Sequence, residues 1–335
     1  AIAAPAPSNG TAQVACARVT GFEPNASVEI TAGLAGYGVN DIFADADGAI
    51  YLWLPDGTHT FTANGHDYTV ELQGGVGPIG VTVNGRDIAF PPDPGAGWNY
   101  DATTRILELA ASGFFTLSGV NELGEVCVVV ADDTASTVTL SNLTLTAIAK
   151  DQCAFALRSN AEASLVLAGE NALVSGENRA GLEVPPGASL SITNAPGGGS
   201  LTATSDHYGA GIGGGYNSAN GTVKIYGGTV TATGGYRAAG IGGGYYGDGG
   251  TVWIGNGTVV AKGGNNGAGI GGGYYGDGGT VSISGGTITA TGGNWGAGIG
   301  SGYYGDGGTV AIADGVITAT GGSYGAGIGG GYYGN

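Results

Sequence analysis

The chain has 335 residues, of which 74 are glycine and none methionine; 42% are hydrophobic, and 26 acids against 9 bases give a net charge of −17. Glycine at about three times its average usage, without a G-x-y triplet, excludes collagen, and the apolar content is too high for a disordered glycine-rich linker. The acidic balance argues against nucleic acid and anionic membrane surfaces, and the apolar runs are too short to insert in a bilayer.

The opening Ala1-Ile-Ala-Ala-Pro-Ala-Pro has the small residues found around a signal-peptidase cut, so a secreted, processed protein is expected. Residues 1–19 read as a small, nearly uncharged N-terminal extension and a candidate donor strand for a neighbouring subunit. Residues 20–90 alternate in period two, as in Ile50-Tyr-Leu-Trp-Leu54 and Tyr68-Thr-Val-Glu-Leu72. Pro55-Asp-Gly57, Asn64-Gly65 and Asn84-Gly85 read as hairpin turns. That stretch is expected to form an antiparallel β-sandwich. Residues 91–97 read as a Pro/Gly linker and residues 98–125 as a cap on the element that follows.

From residue 126 to residue 335 the chain repeats. The isoleucine of GAGIGGG falls at Ile212, Ile241, Ile270, Ile299 and Ile328, a constant step of 29 residues. Within Gly267–Asn294, three segments alternate in period two between double glycines: Ala268–Ile270, Thr280–Ile283 and Thr287–Thr291. Period two means extended strand. It places Ala268, Ile270, Val281, Ile283, Ile288 and Ala290 on one face and the threonines with Ser282 on the other. No helical period is present, and 29 residues with three short strands fall short of a propeller blade of about 40 residues and four strands. The expected fold is all-β: the sandwich, then a right-handed parallel β-helix of 29-residue, three-strand coils. Degraded coils extend upstream through Arg179–Leu182, Cys153–Phe155 and Val126–Val129, about seven coils in all.

Cys127 and Cys153 stand 26 residues apart in adjacent coils. Stacked positions lie about 4.8 Å apart, inside the reach of a disulfide. They form the disulfide candidate, with a packed thiol pair as the alternative and Cys16 left over. The three histidines are scattered and give no zinc spacing.

The segments WNYDATTRILEL, FTLSGVN, RAGLEVPPGASLSIT and SLTAT, with the GAGIGGG coils, resemble the Gly-rich β-helical cell-surface proteins of Gram-positive bacteria, which are adhesin-like or carbohydrate-binding. The resemblance implies an extracellular, cell-surface location and partners that are either further copies of the chain, in a head-to-tail filament, or surface glycans.

Some β-helices are polysaccharide lyases or hydrolases, which need a unique base or carboxylate pair. Here the recurrent acids, Asp248, Asp277 and Asp306, repeat at 29 residues, and a repeated position points to structure rather than to an active site. The expectation is a non-catalytic protein without a cofactor. The same acids are the calcium candidates, against a role in keeping a loop solvated. The aromatic ladders are the ligand and surface candidates: Tyr245-Tyr246, Tyr274-Tyr275 and Tyr303-Tyr304, with Trp295 and Tyr324 at a second corner and Trp253 on a middle strand. Such rows stack on sugar faces in one reading and stabilise the coil corner in the other. The threonine columns at Thr229–Thr233 and Thr287–Thr291 are broken by Val260, Lys262 and Val316, which argues against a flat ice-binding array.

Overall fold

The computed structural model describes residues 14–33, 42–44, 48–55, 57–72, 79–89, 92–93, 95–147 and 149–335. Most of the N-terminal extension, residues 1–13, lies outside the described residues, as do residues 90, 91 and 94 at the expected linker. The chain divides into two compact units, Ala1–Ile79 and Gly80–Asn335.

The first unit is built of antiparallel strands. Val14–Thr20 pairs with Ala49–Pro55, Ser27–Val28 with Ile42–Phe43, and Gly57–Ala63 with both His66–Leu72 and Ile30–Ala32. Alternate residues of these strands, among them Val28, Ile30, Ile50, Leu52 and Phe61, meet in one core. Two expectations are corrected here. Residues 14–19 are not a free arm, because their strand is already paired along Ala49–Pro55. The hairpin of Val81–Val83 and Arg86–Asp87 does not belong to this unit. Val81–Val83 runs antiparallel to Gly113–Asn121, at the start of the solenoid, so the unit boundary lies before it rather than at residues 91–97.

The second unit is the solenoid. A ten-stranded sheet collects the first strand of every coil, and a twelve-stranded sheet collects the second and third. Trp98–Asp101 closes the first sheet as an antiparallel edge beside Ile106–Leu109, which then pairs in parallel with Cys127–Val130. The stretch 98–125 therefore both caps the stack and supplies its first parallel strands. In the later coils the register is the repeat itself: Ile212, Ile241, Ile270, Ile299 and Ile328 pair in one column. The three segments of a coil are not always three strands. Ala135–Thr146, Glu162–Ser175, Ser189–Ser205, Thr280–Thr291 and Thr309–Thr320 each run through the second corner as one strand. Shifts of register, for example between Ser141 and Thr144, absorb the bend.

The period-two reading fits the burial. Ala268, Ile270, Val281, Ile283, Ile288 and Ala290 are buried, and Thr280 and Thr287 are exposed. This layer depends on a coil above it: Ile283 is 1% exposed, whereas Ile312, its counterpart in the last coil, is 44% exposed.

Glycine has a different role from the one the corners suggest. Gly271 does need its positive φ of 132°. Gly272 and Gly273 have no such need, yet a Cβ on either would overlap a backbone carbonyl oxygen, of Gly276 or of Gly244 in the coil below. The double and triple glycines thus mark where backbone packs on backbone.

Ile270→Asp places an unpaired charge in the dry bore and should cost several kcal/mol. Ser282→Asp, on the outward face of the same coil, should be tolerated. Thermal unfolding by circular dichroism distinguishes them, and a melt of Ile270→Asp equal to that of the parent would contradict this core.

Candidate functional site

The two expected aromatic ladders form one wall. The reason is local: between the corners the first strand has only two residues, such as Ile270–Gly271. The N–H of Ala268 donates to the carbonyl of Gly272, and Ala239 and Gly243 repeat this one coil earlier. The chain doubles back, so the corner carrying Tyr208, Arg237, Asn266, Trp295 and Tyr324 lies against the Tyr-Tyr corner. Backbone bonds join the two: the N–H of Tyr274 donates to Arg237 O at 2.9 Å and that of Tyr332 to Trp295 O at 3.1 Å.

The tyrosines stand in two columns. In the outer column, Tyr246, Tyr275, Tyr304 and Tyr333 have centroids 4.9, 5.0 and 5.1 Å apart, with planes within 10° of parallel. The inner column of Tyr245, Tyr274, Tyr303 and Tyr332 steps by 5.5, 5.2 and 5.7 Å. Across three of the four pairs the rings meet edge to face, at 86° for Tyr274 and Tyr275, 89° for Tyr303 and Tyr304 and 71° for Tyr332 and Tyr333, while Tyr245 and Tyr246 are tilted at 56°. The ring quadrupole favours both contacts, edge-to-face and offset-parallel. The backbone sets the step: the N–H of Tyr304 donates to Tyr274 O at 3.0 Å, so rings repeat at the strand spacing.

At one end of the wall the Arg237 guanidinium sits 4.8 Å over the ring of Tyr245 and 5.6 Å over that of Tyr274, a cation–π contact. At the other, Trp295 stacks on Tyr324 at 4.3 Å and meets the edges of Tyr303 and Tyr332. Arg237 was missed in the sequence. Its signal was available, since it occupies the same repeat position as Trp295 and Tyr324.

This geometry limits what the wall offers a ligand. Tyr275 is 44% exposed, but Tyr246 and Tyr304 cover its two faces. Solvent meets ring edges and hydroxyls, not the open face that a sugar needs for stacking. Trp253 stands apart, on the second sheet between Lys224 and Ser282 in register. Its ring lies over Gly255, where a Cβ would collide with it, and Tyr226 packs on it at 4.8 Å.

The acid ladder is engaged by the backbone. The N–H of Asp277 donates to Asp248 Oδ1 at 2.9 Å, that of Asp306 to Asp277 Oδ1 at 2.8 Å, and that of Asn335 to Asp306 Oδ1 at 3.0 Å. Each carboxylate thus clasps the next coil. Among the described residues, no three His, Cys, Asp or Glu side chains converge as a metal site would require. Cys127 and Cys153 are disulfide-bonded, with Cα atoms 5.6 Å apart. Val128 pairs with Phe155, so Cys153 sits one residue out of register with Cys127. Cys16 lies in the first unit, on the strand Val14–Thr20.

A family model described as a beta helix repeat matches residues 197–216, 223–245, 252–274, 278–303 and 310–332. Those segments coincide with the coils whose strands pair in parallel at the repeat spacing. The chain is a parallel β-helix protein. No curated protein and no solved structure matches it.

Burial, aided by the hydrogen bond with its paired tyrosine, pushes the phenols of Tyr274 and Tyr303 up to about 12, and a hydrogen bond with Tyr245 does the same for Tyr246. A raised folded-state pKa means that the folded chain keeps protons the unfolded chain has lost. That stability is intact below the ordinary phenol value of about 10 and disappears as pH rises toward about 12. Melting temperature should hold up to about pH 10 and then fall as tyrosinate absorbance grows late. A tyrosine titration complete near the ordinary phenol value would contradict the wall.

Proposed function

We propose that the protein is a non-catalytic, extracellular structural and adhesive element, its β-helix a stiff arm that displays the tyrosine wall at a cell surface. The observation that carries this reading is the wall itself: the same ring pair recurs at about 5 Å over four successive coils. A surface that is alike at every coil suits multivalent, low-specificity contact, in which many weak contacts add by effective concentration. Exposed phenol edges combine apolar area with a hydrogen-bonding tip. The repeated acids support the same reading, because each is spent on the backbone of the next coil. Head-to-tail association of chains would lengthen the display.

A carbohydrate-binding module is the second reading. It rests on the Trp253–Tyr226 pair, which lies outside the closed stack, with Tyr226 49% exposed.

Beads coated with the full chain should adhere to protein-coated and plastic surfaces under flow. The Tyr246/Tyr275/Tyr304→Ser variant should lose at least about five-fold of that adhesion while remaining folded. Electron microscopy should show fibres if chains join end to end. A glycan array that selects one sugar, with binding lost in Trp253→Ala but not in the tyrosine variant, would install the second reading. Release of soluble products from a polysaccharide would overturn the non-catalytic one.

A further inference from the structure

The outward face of the first-strand sheet is unusual in the early coils. Leu107, Val128, Val130, Phe155 and Leu157 fill the bore and are buried. The residues between them should face water, yet Cys127, Val129 and Ala156 are apolar and buried as well. All of Cys127–Val130 and Phe155–Leu157 is buried, which is the pattern of a strand covered on both faces. The outer cover here is incomplete: a cavity of about 700 Å³ lies over this patch, within the range of small-molecule sites.

Its floor is Ile106, Val129, Ala156 and the Cys127–Cys153 disulfide. Its walls carry Arg105, Lys150, Arg158 and Arg179 against one carboxylate, Asp151. Only 9 bases exist in this chain of net charge −17, and four of them surround one cavity. Two are held by acids: Arg158 lies 2.7 Å from Glu108, and Arg179 lies 2.8 Å from Glu183. The other two are less committed. Lys150 stands 3.8 Å from Glu177, and Arg105 donates to the carbonyl of Gly124 at 3.2 Å. Asp151 accepts from the Asn178 amide. Gln152 donates its Nε2 to Gly124 O, while its Oε1, shielded from solvent, has no hydrogen-bond partner among the described residues.

We propose that this cavity binds a small amphipathic anion, an organic carboxylate or sulfonate. Its apolar body lies on the valine, isoleucine and disulfide floor, and its acid group between Arg105 and Lys150. Each part answers an observation: the apolar floor matches the body of the ligand, and the cations form charge-assisted hydrogen bonds with an oxyanion. The site is independent of the tyrosine wall and of its adhesive reading.

The test is a fluorescence titration of the full chain with 1-anilinonaphthalene-8-sulfonate, beside uncharged N-phenyl-1-naphthylamine. The sulfonate should bind once per chain and at least about ten-fold more tightly than the uncharged probe. Arg105→Gln with Lys150→Gln should weaken it at least about ten-fold and leave the uncharged probe unchanged. Should that pair unfold, Ala156→Phe, which fills the cavity from an outward position, must abolish sulfonate binding in a chain of parent-like melting. Equal binding of both probes, or unchanged sulfonate binding in either variant when folded, overturns the proposal. So does loss of the dye in the Tyr246/Tyr275/Tyr304→Ser variant, which would place it on the wall instead.

Discussion

Backbone hydrogen bonds between equivalent residues of successive coils hold the solenoid at one strand spacing, about 4.8 Å. Nothing larger than a hydrogen atom fits between the corners at that distance, which is why a Cβ at Gly273 or Gly302 would overlap a carbonyl of the coil below. The same bonds bring Ile241, Ile270 and Ile299 into one column. The core is therefore a set of columns of equivalent apolar positions, and nearest-neighbour contact between coils is the unit of stability.

That spacing also explains the outer surface. Tyrosines at one repeat position must stack, because their Cα atoms are held one strand apart. At a ring step of 4.9 to 5.1 Å, wider than van der Waals contact of about 3.5–4 Å, the rings are offset. The neighbouring tyrosine column then fills the space at their edges. The acid ladder obeys the same rule with another chemistry. Like charges one coil apart would repel, and each instead places an oxygen on the N–H that the next coil presents.

Much of this was legible in the sequence. The unbroken step from Ile212 to Ile328 gave the stack, and period two gave the inward face, down to Ala268 and Val281. What was not legible depends on bond geometry that residue types do not encode. The bulges that fuse Thr280–Thr291 into one strand leave no signature beyond two glycines. The doubling back from Ala268 to Gly272, which merges the two corners into one wall, needs a hydrogen bond that composition does not reveal. Asn84-Gly85 reads equally well as a hairpin of either unit, and only its pairing beside Gly113–Asn121 decides. The run Val126–Val130 did carry a signal, apolar residues on both faces, and its meaning became clear only with the cavity above it.

The constant register has a consequence for how such a chain changes over generations. One residue inserted within a strand would turn the later side chains of that strand to the opposite face, so single insertions are confined to corners such as the register shift between Ser141 and Thr144, whereas a whole coil added or removed leaves each remaining residue above its proper partner. Coils nearly identical in sequence are also natural sites for unequal recombination. The arm is thus free to vary in length only by whole coils, in steps of about 4.8 Å. Its reach becomes a heritable, digital quantity, adjustable without redesign of the core or of the surface it shows.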